Sequence, residues 1–358
     1  MIYDFIVIGG GIAGVSAGAR LASLGSVCVL EAETAPAYHA SGRSAALYEG
    51  SYGNSVTVAL NQASRADLDT LDGGLLSPRG LMMLGGPGQE AALARDIASM
   101  ALTPLTPAEA QARVPILNLD HVVGAAMNDD AWDIDTDRMV QNFAKTIRSK
   151  GRIATHAPVA EITQDGTIWR VTANETYRAR HIVNAAGAWA DQIAAMAGIT
   201  PLGLIPLRRS VARMPAPGGH DVRAWPMLLG ADESWYAKPD AGAWLVSPAE
   251  EDRVDNPHDA YANDLSLAEG IARYQPFVTA EVTRVTGNWA GLRTFAPDRC
   301  LVIGPDPAMP SFLWAAGQGG YGFQTAPAAS QLLADLVADR QPALDKAHIS
   351  ALCPSRFR

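Results

Sequence analysis

The chain has 358 residues, a formal net charge of -9 and an ordinary balance of apolar and charged side chains. That length allows two domains or one large one with a sizeable core. The acidic balance, with no run of five or six basic residues, argues against a nucleic-acid groove. No stretch of about 18 uninterrupted apolar residues occurs, so no membrane span is expected. The first strand begins at Ile2 without a basic segment before it, so no secretory signal is read there. Cys28, Cys300 and Cys353 form no CxxC pair, and the seven histidines no HExxH or HxH pair. Reduced thiols, a cytoplasmic location and no metal site are the expectations, with peripheral membrane association left open.

Chain order begins with "IVIGGGIAGVSAGARLASLGSVCVLEAE", residues 6 to 33. Ile6, Val7 and Ile8 read as a buried strand, and Gly9, Gly11 and Gly14 satisfy G-x-G-x-x-G. A small-residue helix from Ile12 to Leu24 follows, with Gly25 as its C-terminal stop and Val27 to Leu30 as the next strand. The first glycine makes the tight turn, the second admits a pyrophosphate, and the third lets helix and strand pack closely. The helix N-terminus faces the phosphates, and Glu31, closing an apolar strand, is placed for ribose hydroxyls. A glycine-rich turn that only packs leaves that acid unexplained. Glu31 would repel the extra phosphate of NADP; NAD and FAD both remain open from this unit.

Residues 37 to 53, "AYHASGRSAALYEGSYG", read as a small-residue loop rather than a second crossover helix. Ser41, Arg43 and Ser44 on it suit phosphate and ribityl hydroxyls. A helix is expected over 54–73, a bent strand over "LLSPRGLMMLGG", and a helical region to about 114. "DIDTDRMVQNFAKTIRSKG" is a helix capped by Asp135 or Thr136 and ended by Gly151. Strands and turns then run to "HIVNAAGAW" and a helix through Met196. Val159 is a candidate for backbone contact with an adenine, or equally a core valine.

Residues 206 to 294 are rich in Trp, Tyr and alternating strands, with "KPDAG" a hairpin turn. They read as an antiparallel sheet roofing a substrate. "GQGGYG" before a last helix is another anion-friendly N-terminus, and the closing "PSRFR" reads as a loose tail. The cofactor unit is therefore expected over 1–50, 130–205 and 295–358, and the substrate unit over 51–129 and 206–294. The fold class expected is α/β, with a Rossmann-like dinucleotide domain and an inserted antiparallel-sheet domain.

The strings "DFIVIGGGIAG", "LEAE", "SGRSAA", "VNAAGAW" and "GQGGYGFQT" together resemble the D-amino-acid oxidase superfamily of flavoproteins across essentially the whole chain. "LLSPRG", "PLRRS", "WPMLLGADESWYAKPDAG" and "WAGLRTF" resemble most the bacterial D-arginine dehydrogenase type. The resemblance implies FAD rather than NAD. It places the cofactor on Gly9, Gly11, Ile12, Ala13 and Gly14, then on Glu31 and Ala32, and on Ser41, Gly42, Arg43, Ser44, Ala45 and Ala46. Val159, Ala186, Gly187 and Trp189 join them, as do Gly319, Gly320, Tyr321, Gly322, Gln324 and Thr325. Gly291 stands where the sarcosine-oxidase branch carries its flavin-linking cysteine, so non-covalent FAD is expected.

By the same resemblance Arg209 and Arg293 clamp a substrate carboxylate, Tyr52 and Tyr236 line the pocket, and the Gly320 carbonyl receives the substrate amine. A planar guanidinium fork suits a carboxylate. Tyr52 lies on a glycine-rich loop that reads as a lid. Three positions depart from the arginine-specific pattern. Leu81 replaces a glutamate, Leu47 a histidine and Glu49 a threonine. With Met83 these suggest an apolar pocket, with Glu49 the one residue able to restore a counter-charge.

The expectation is oxidative deamination of D-amino acids with apolar side chains, hydride passing from Cα to the flavin and the imine hydrolysing to a 2-oxo acid and ammonia. The electrons then leave to a quinone or carrier, which makes a dehydrogenase, or to oxygen, which makes an oxidase. A monomer is expected. The alternatives are a secondary-amine oxidase acting on an N-alkyl glycine or opine, an NAD-dependent dehydrogenase, and a non-catalytic flavin- or folate-binding module.

Overall fold

A computed structural model describes every residue from Met1 to Arg358. Its first sheet grows from the N-terminal motif. The buried strand Tyr3–Ile8 pairs in parallel with Val27–Leu30 on one side and with Thr176–Asn184 on the other. Arg152–Ala154 extends the sheet beyond Val27–Leu30. Phe312–Ala316 pairs in parallel with the end of Thr176–Asn184 and antiparallel with Val302–Pro305. The start of Thr176–Asn184 instead forms a meander with Glu161–Asp165 and Ile168–Thr172. Parallel strands so covered must be apolar on both faces, and Val27–Leu30 and Phe312–Ala316 are buried throughout.

Helices Ile12–Leu21, Thr136–Lys150 and Gly322–Val337 cover one face. Asp135 caps the second, its carboxylate accepting the Arg138 N–H at 3.0 Å, and Met139, Phe143 and Ile147 bury its inner stripe. The first helix ends earlier than expected, at Leu21, with Ala22 as its cap. Gly25 is no helix stop. Its Cα lies against Asp4, and a Cβ there would sit 2.6 Å from the Asp4 carboxylate.

A second sheet of nine strands roofs this layer. Its long members Ile205–Met214 and Gly287–Phe295 pair antiparallel over nine residues. The expected hairpin joins Tyr236–Asp240 to Ala243–Ser247, and Ala241 and Gly242 both take positive φ, the signature of a type I′ turn. The sheet is not wholly antiparallel. Leu81–Gly85, buried at every position, pairs in parallel with Met227–Gly230. A continuous apolar run fits such a central place.

Two other expectations change. The bent strand splits into Leu76–Pro78 and Leu81–Gly85, in different sheets. Leu76–Pro78 joins Leu47–Glu49 and Ala131–Ile134 in a three-stranded sheet. The helical region before residue 114 is two helices, Glu90–Met100 and Pro107–Arg113, around the strand Thr103–Leu105. The C-terminal "PSRFR" is docked rather than loose. Arg356 pairs with Asp298 at 2.6 Å and donates to the Cys300 and Leu301 carbonyls, and Arg358 reaches buried Asp306 at 3.1 Å. No helix is long and apolar enough to cross a membrane.

Candidate active site

The glycine turn is built as its spacing implies. Gly9 has φ +105°, and a Cβ on it would lie 2.4 Å from the Ala185 carbonyl oxygen. Gly14 packs against the turn itself, a Cβ there falling 1.8 Å from the Gly9 oxygen. Gly14 thus acts by letting helix and turn meet. Glu31 is buried and held by two backbone donors, the N–H of Gly10 at 2.7 Å and that of Glu33 at 2.9 Å. Ser41 accepts the Ile12 N–H at 2.9 Å and so ties the 37–46 loop to the helix start.

Around this turn runs a cavity of about 380 Å³. Gly9, Gly11, Glu31, Ala32, Ser41, Arg43, Val159, Ala186, Gly187 and Trp189 line it. His39, which sequence reasoning passed over, lies tilted against Trp189 at 4.8 Å between centroids and lines the same lobe. A second lobe of about 160 Å³ continues past Gly11 and Ser41. Ile12, Ala13, Ser44, Ala45, Ala46, Gly319, Gly320, Gly322 and Gln324 line that one. Two joined lobes, one at a helix N-terminus with an acid at its rim, fit the ADP and flavin halves of FAD. Gly291 borders both, and no cysteine lines either.

Four expected cofactor residues are placed otherwise. Arg43 borders the cavity, but its guanidinium is paired with Asp259 and donates to the Ala260 and Ala290 carbonyls, 2.9 Å to each carbonyl, so it fastens the loop to the second sheet rather than standing free for phosphate. Gly42 lies on the loop's far side, where a Cβ would strike the Ala37 oxygen. Thr325 is fully buried, its hydroxyl donating to the Tyr321 carbonyl at 2.9 Å. Tyr321 faces a wide mouth, its ring 5.3 Å from that of Tyr52.

The flavin lobe opens into a pocket of about 90 Å³ through residues common to both, among them Leu47, Arg209, Tyr236, Arg293 and Gly320. Strand register explains the arginines. Arg209 faces Gly291 across the ladder, and Arg293 lies two residues on, so both side chains stand on one face of the sheet. Arg209 is 6 % exposed, and its Nε has no partner. Burial, and then the neighbouring Arg293, lower its affinity for its proton. Burial, then the nearby Glu233 carboxylate, push the Tyr52 phenol well up, so it stays protonated.

Leu81 and Glu49 line the pocket, with Met100, Met227 and Leu229 beside them and Glu233 at its edge. Met83 does not: it is 1 % exposed and belongs to the packing behind. Glu49 is also buried, and burial raises its carboxyl above the usual range. Its oxygens are engaged, one by Asn128 Nδ2 at 2.8 Å and the other by the Ser51 N–H at 3.0 Å. Outside lies a polar mouth of about 530 Å³. Glu233, Glu251 and Arg299 line it, and none was singled out from sequence. Met227 and Leu229 carried a signal, their i, i+2 spacing in the strand read over "WPMLLG".

Gly320 bears on the Arg293 guanidinium. A Cβ there would lie 2.9 Å from Arg293 Nη1 and 3.0 Å from its Cζ. Gly320→Ala is expected to displace that guanidinium while the fold holds, weakening carboxylate binding about tenfold, which is about 1.4 kcal/mol. Carboxylate titration beside thermal unfolding checks this; loss of stability with unchanged binding would mean that Gly320 serves the backbone alone.

A family model described as "FAD dependent oxidoreductase" (DAO) matches residues 4–336. Among curated proteins, the bovine (Bos taurus) "FAD-dependent oxidoreductase domain-containing protein 1" is 24% identical over 271 residues, covering 65% of this chain and 55% of that protein. Human mitochondrial dimethylglycine dehydrogenase is 26% identical over 278 residues, covering 71% and 31%. The chain thus spans about half, or less, of the length of these relatives. In structure it is similar to the glycine oxidase of Geobacillus kaustophilus, with a TM-score of 0.82, 23% identity, and 96% and 97% of the two chains covered. At that identity the likeness is one of fold.

Proposed function

Because the chain belongs to the DAO family of FAD-dependent oxidoreductases, we propose that it oxidises the Cα–N bond of amino acids, D-amino acids with apolar side chains above all. The observation that carries this reading is the pair Arg209 and Arg293. Two guanidiniums share one sheet face between the flavin lobe and an apolar pocket, and Arg293 has no hydrogen bond or ion pair of its own. Buried Arg209 beside half-buried Arg293 calls for an anion, and a planar carboxylate matches their forks.

The remaining residues orient what the clamp holds. Leu47, Leu81, Met227 and Leu229 take the substrate side chain. Tyr52 and Tyr236 close the pocket around the clamp, the Tyr52 hydroxyl kept protonated by its burial. Gly320 presents backbone to the reacting centre. Bound FAD supplies the hydride acceptor. No residue is required as base once the amine has lost its proton; the imine left behind takes up water and releases a 2-oxo acid and ammonia. An electron acceptor, a quinone, carrier or oxygen, completes the cycle. The discontinuous partition into cofactor and substrate units belongs to this reading.

Anaerobic bleaching of the flavin by a panel of D-amino acids, L-amino acids and N-alkyl glycines tests the substrate class. A panel on which only N-alkyl glycines bleach would favour the second reading, a secondary-amine substrate, to which the small pocket and the similarity to dimethylglycine dehydrogenase lend support. Arg293→Lys and Arg209→Lys keep the charge but lose the fork. Each is expected to weaken binding of the acid by about 1.5–3 kcal/mol. An amine without the carboxylate should lose far less, and equal losses on both would make the arginines structural.

A further inference from the structure

The mouth of the pocket holds three guanidiniums and an ion pair that the reaction does not require. Glu251 sits between two of them. Its Oε1 lies 2.7 Å from Arg299 Nη2 and 3.4 Å from Arg209 Nη2, and its Oε2 accepts Arg299 Nη1 at 3.0 Å. The contact with Arg299 is thus a short, bidentate one, and the contact with Arg209 is long and single. That long contact is the only ion pair Arg209 has. Arg299 is fixed independently, its guanidinium 3.9 Å above the Phe295 ring. Burial works to raise the Glu251 carboxyl, but Arg299, with Arg209 and Arg293 behind it, outweighs burial and keeps Glu251 ionised.

We propose that Glu251 is the resident counter-ion of the carboxylate clamp, shared between Arg209 and Arg299, and that it withdraws onto Arg299 when a substrate carboxylate arrives. The proposal rests on the reading of Arg209 and Arg293 as that clamp. Two like charges side by side, one of them buried, are costly without an anion. Glu251 relieves part of that cost in the free protein and then competes with the incoming acid for Arg209. Arg299 sets the strength of the competition, because it holds the displaced carboxylate. A substrate with one carboxylate finds the clamp freed; a second carboxylate left in the mouth would meet Glu251 and Glu233.

The test uses two variants with opposite expected signs. Acetate, a carboxylate without an amine, is titrated into the FAD-loaded protein and followed by calorimetry and by the visible spectrum of the flavin. Glu251→Gln removes the competing charge and is expected to tighten acetate binding about three- to tenfold, a range discounted for the partly exposed mouth. Arg299→Gln releases Glu251 wholly to Arg209 and is expected to weaken acetate binding by a similar factor. Weaker binding in both variants would make the pair a scaffold and overturn the proposal. A wild-type protein that binds no acetate would remove the clamp itself, whereas oxidation of amines lacking a carboxylate would then still be read from the bleaching panel.

Discussion

Gly14→Ala is expected to give protein that keeps little or no FAD and is at least about 3 kcal/mol less stable, if it folds at all. The added Cβ falls 1.8 Å from the Gly9 carbonyl oxygen and 3.0 Å from its carbon. Both are backbone atoms of the phosphate turn, and Gly9 is itself pinned by its N–H to the Leu30 oxygen at 2.9 Å. Neither the helix nor the turn can move without breaking Ile12–Leu21 away from the sheet. The same helix supplies the control. At Gly18 a Cβ would lie 3.1 Å from Ile147 Cδ1 and 3.2 Å from Val29 Cγ2, both ends of side chains. Alanine also favours a helix interior over glycine by about 1 kcal/mol. Gly18→Ala should therefore stay within about 1 kcal/mol of wild type and retain its flavin. Thermal unfolding and the flavin released on denaturation measure both, and a flavin-loaded Gly14→Ala protein would show the turn to be more pliant than its contacts imply.

The contrast between those glycines shows what was legible in the sequence. The first 31 residues carry a unit whose parts are near neighbours in the chain, so spacing alone predicts turn, helix and acid. Arg209 and Arg293 are 84 residues apart and were legible only through family motifs; pairing Ile205–Met214 with Gly287–Phe295 puts them on one face. Glu251 and Arg299 lie in the stretches "AEEDR" and "PDRC", which carry no motif. Their meaning comes from a 2.7 Å contact that no local pattern encodes. The tail failed for the same reason, since Arg356 and Arg358 are ordered by Asp298 and Asp306 of distant loops. Leu81–Gly85 was legible as a buried strand, but not its parallel partner Met227–Gly230. Arg43 shows the opposite error: its place in the loop was right, and its charge was already taken by Asp259.

Side-chain preference is where the pocket is expected to part most from an arginine-specific one. Apolar D-amino acids such as D-Leu, D-Met or D-Phe should show a kcat/KM at least about tenfold above that of D-Arg or D-Lys. An apolar side chain buried against Leu47, Leu81, Met227 and Leu229 gains about 1.5–3 kcal/mol. A guanidinium there loses its hydration, at a cost of several kcal/mol unless it meets a counter-charge. Two acids line the pocket, Glu49 and, at its mouth, Glu233; the oxygens of Glu49 already serve Asn128 and the Ser51 N–H, and burial pushes its carboxyl above the usual range. A raised carboxyl pKa means that the charge appears only as pH climbs. The ratio of D-Arg to D-Leu turnover should therefore rise with pH through that range, and Glu49→Gln should flatten the rise. Leu81→Glu, which puts a second acid into the wall, should move the preference toward basic substrates. A native enzyme faster on D-Arg than on D-Leu would sink the apolar reading. It would make Glu49 the relocated counter-charge, and Glu49→Gln would then abolish the preference for D-Arg while sparing D-Leu.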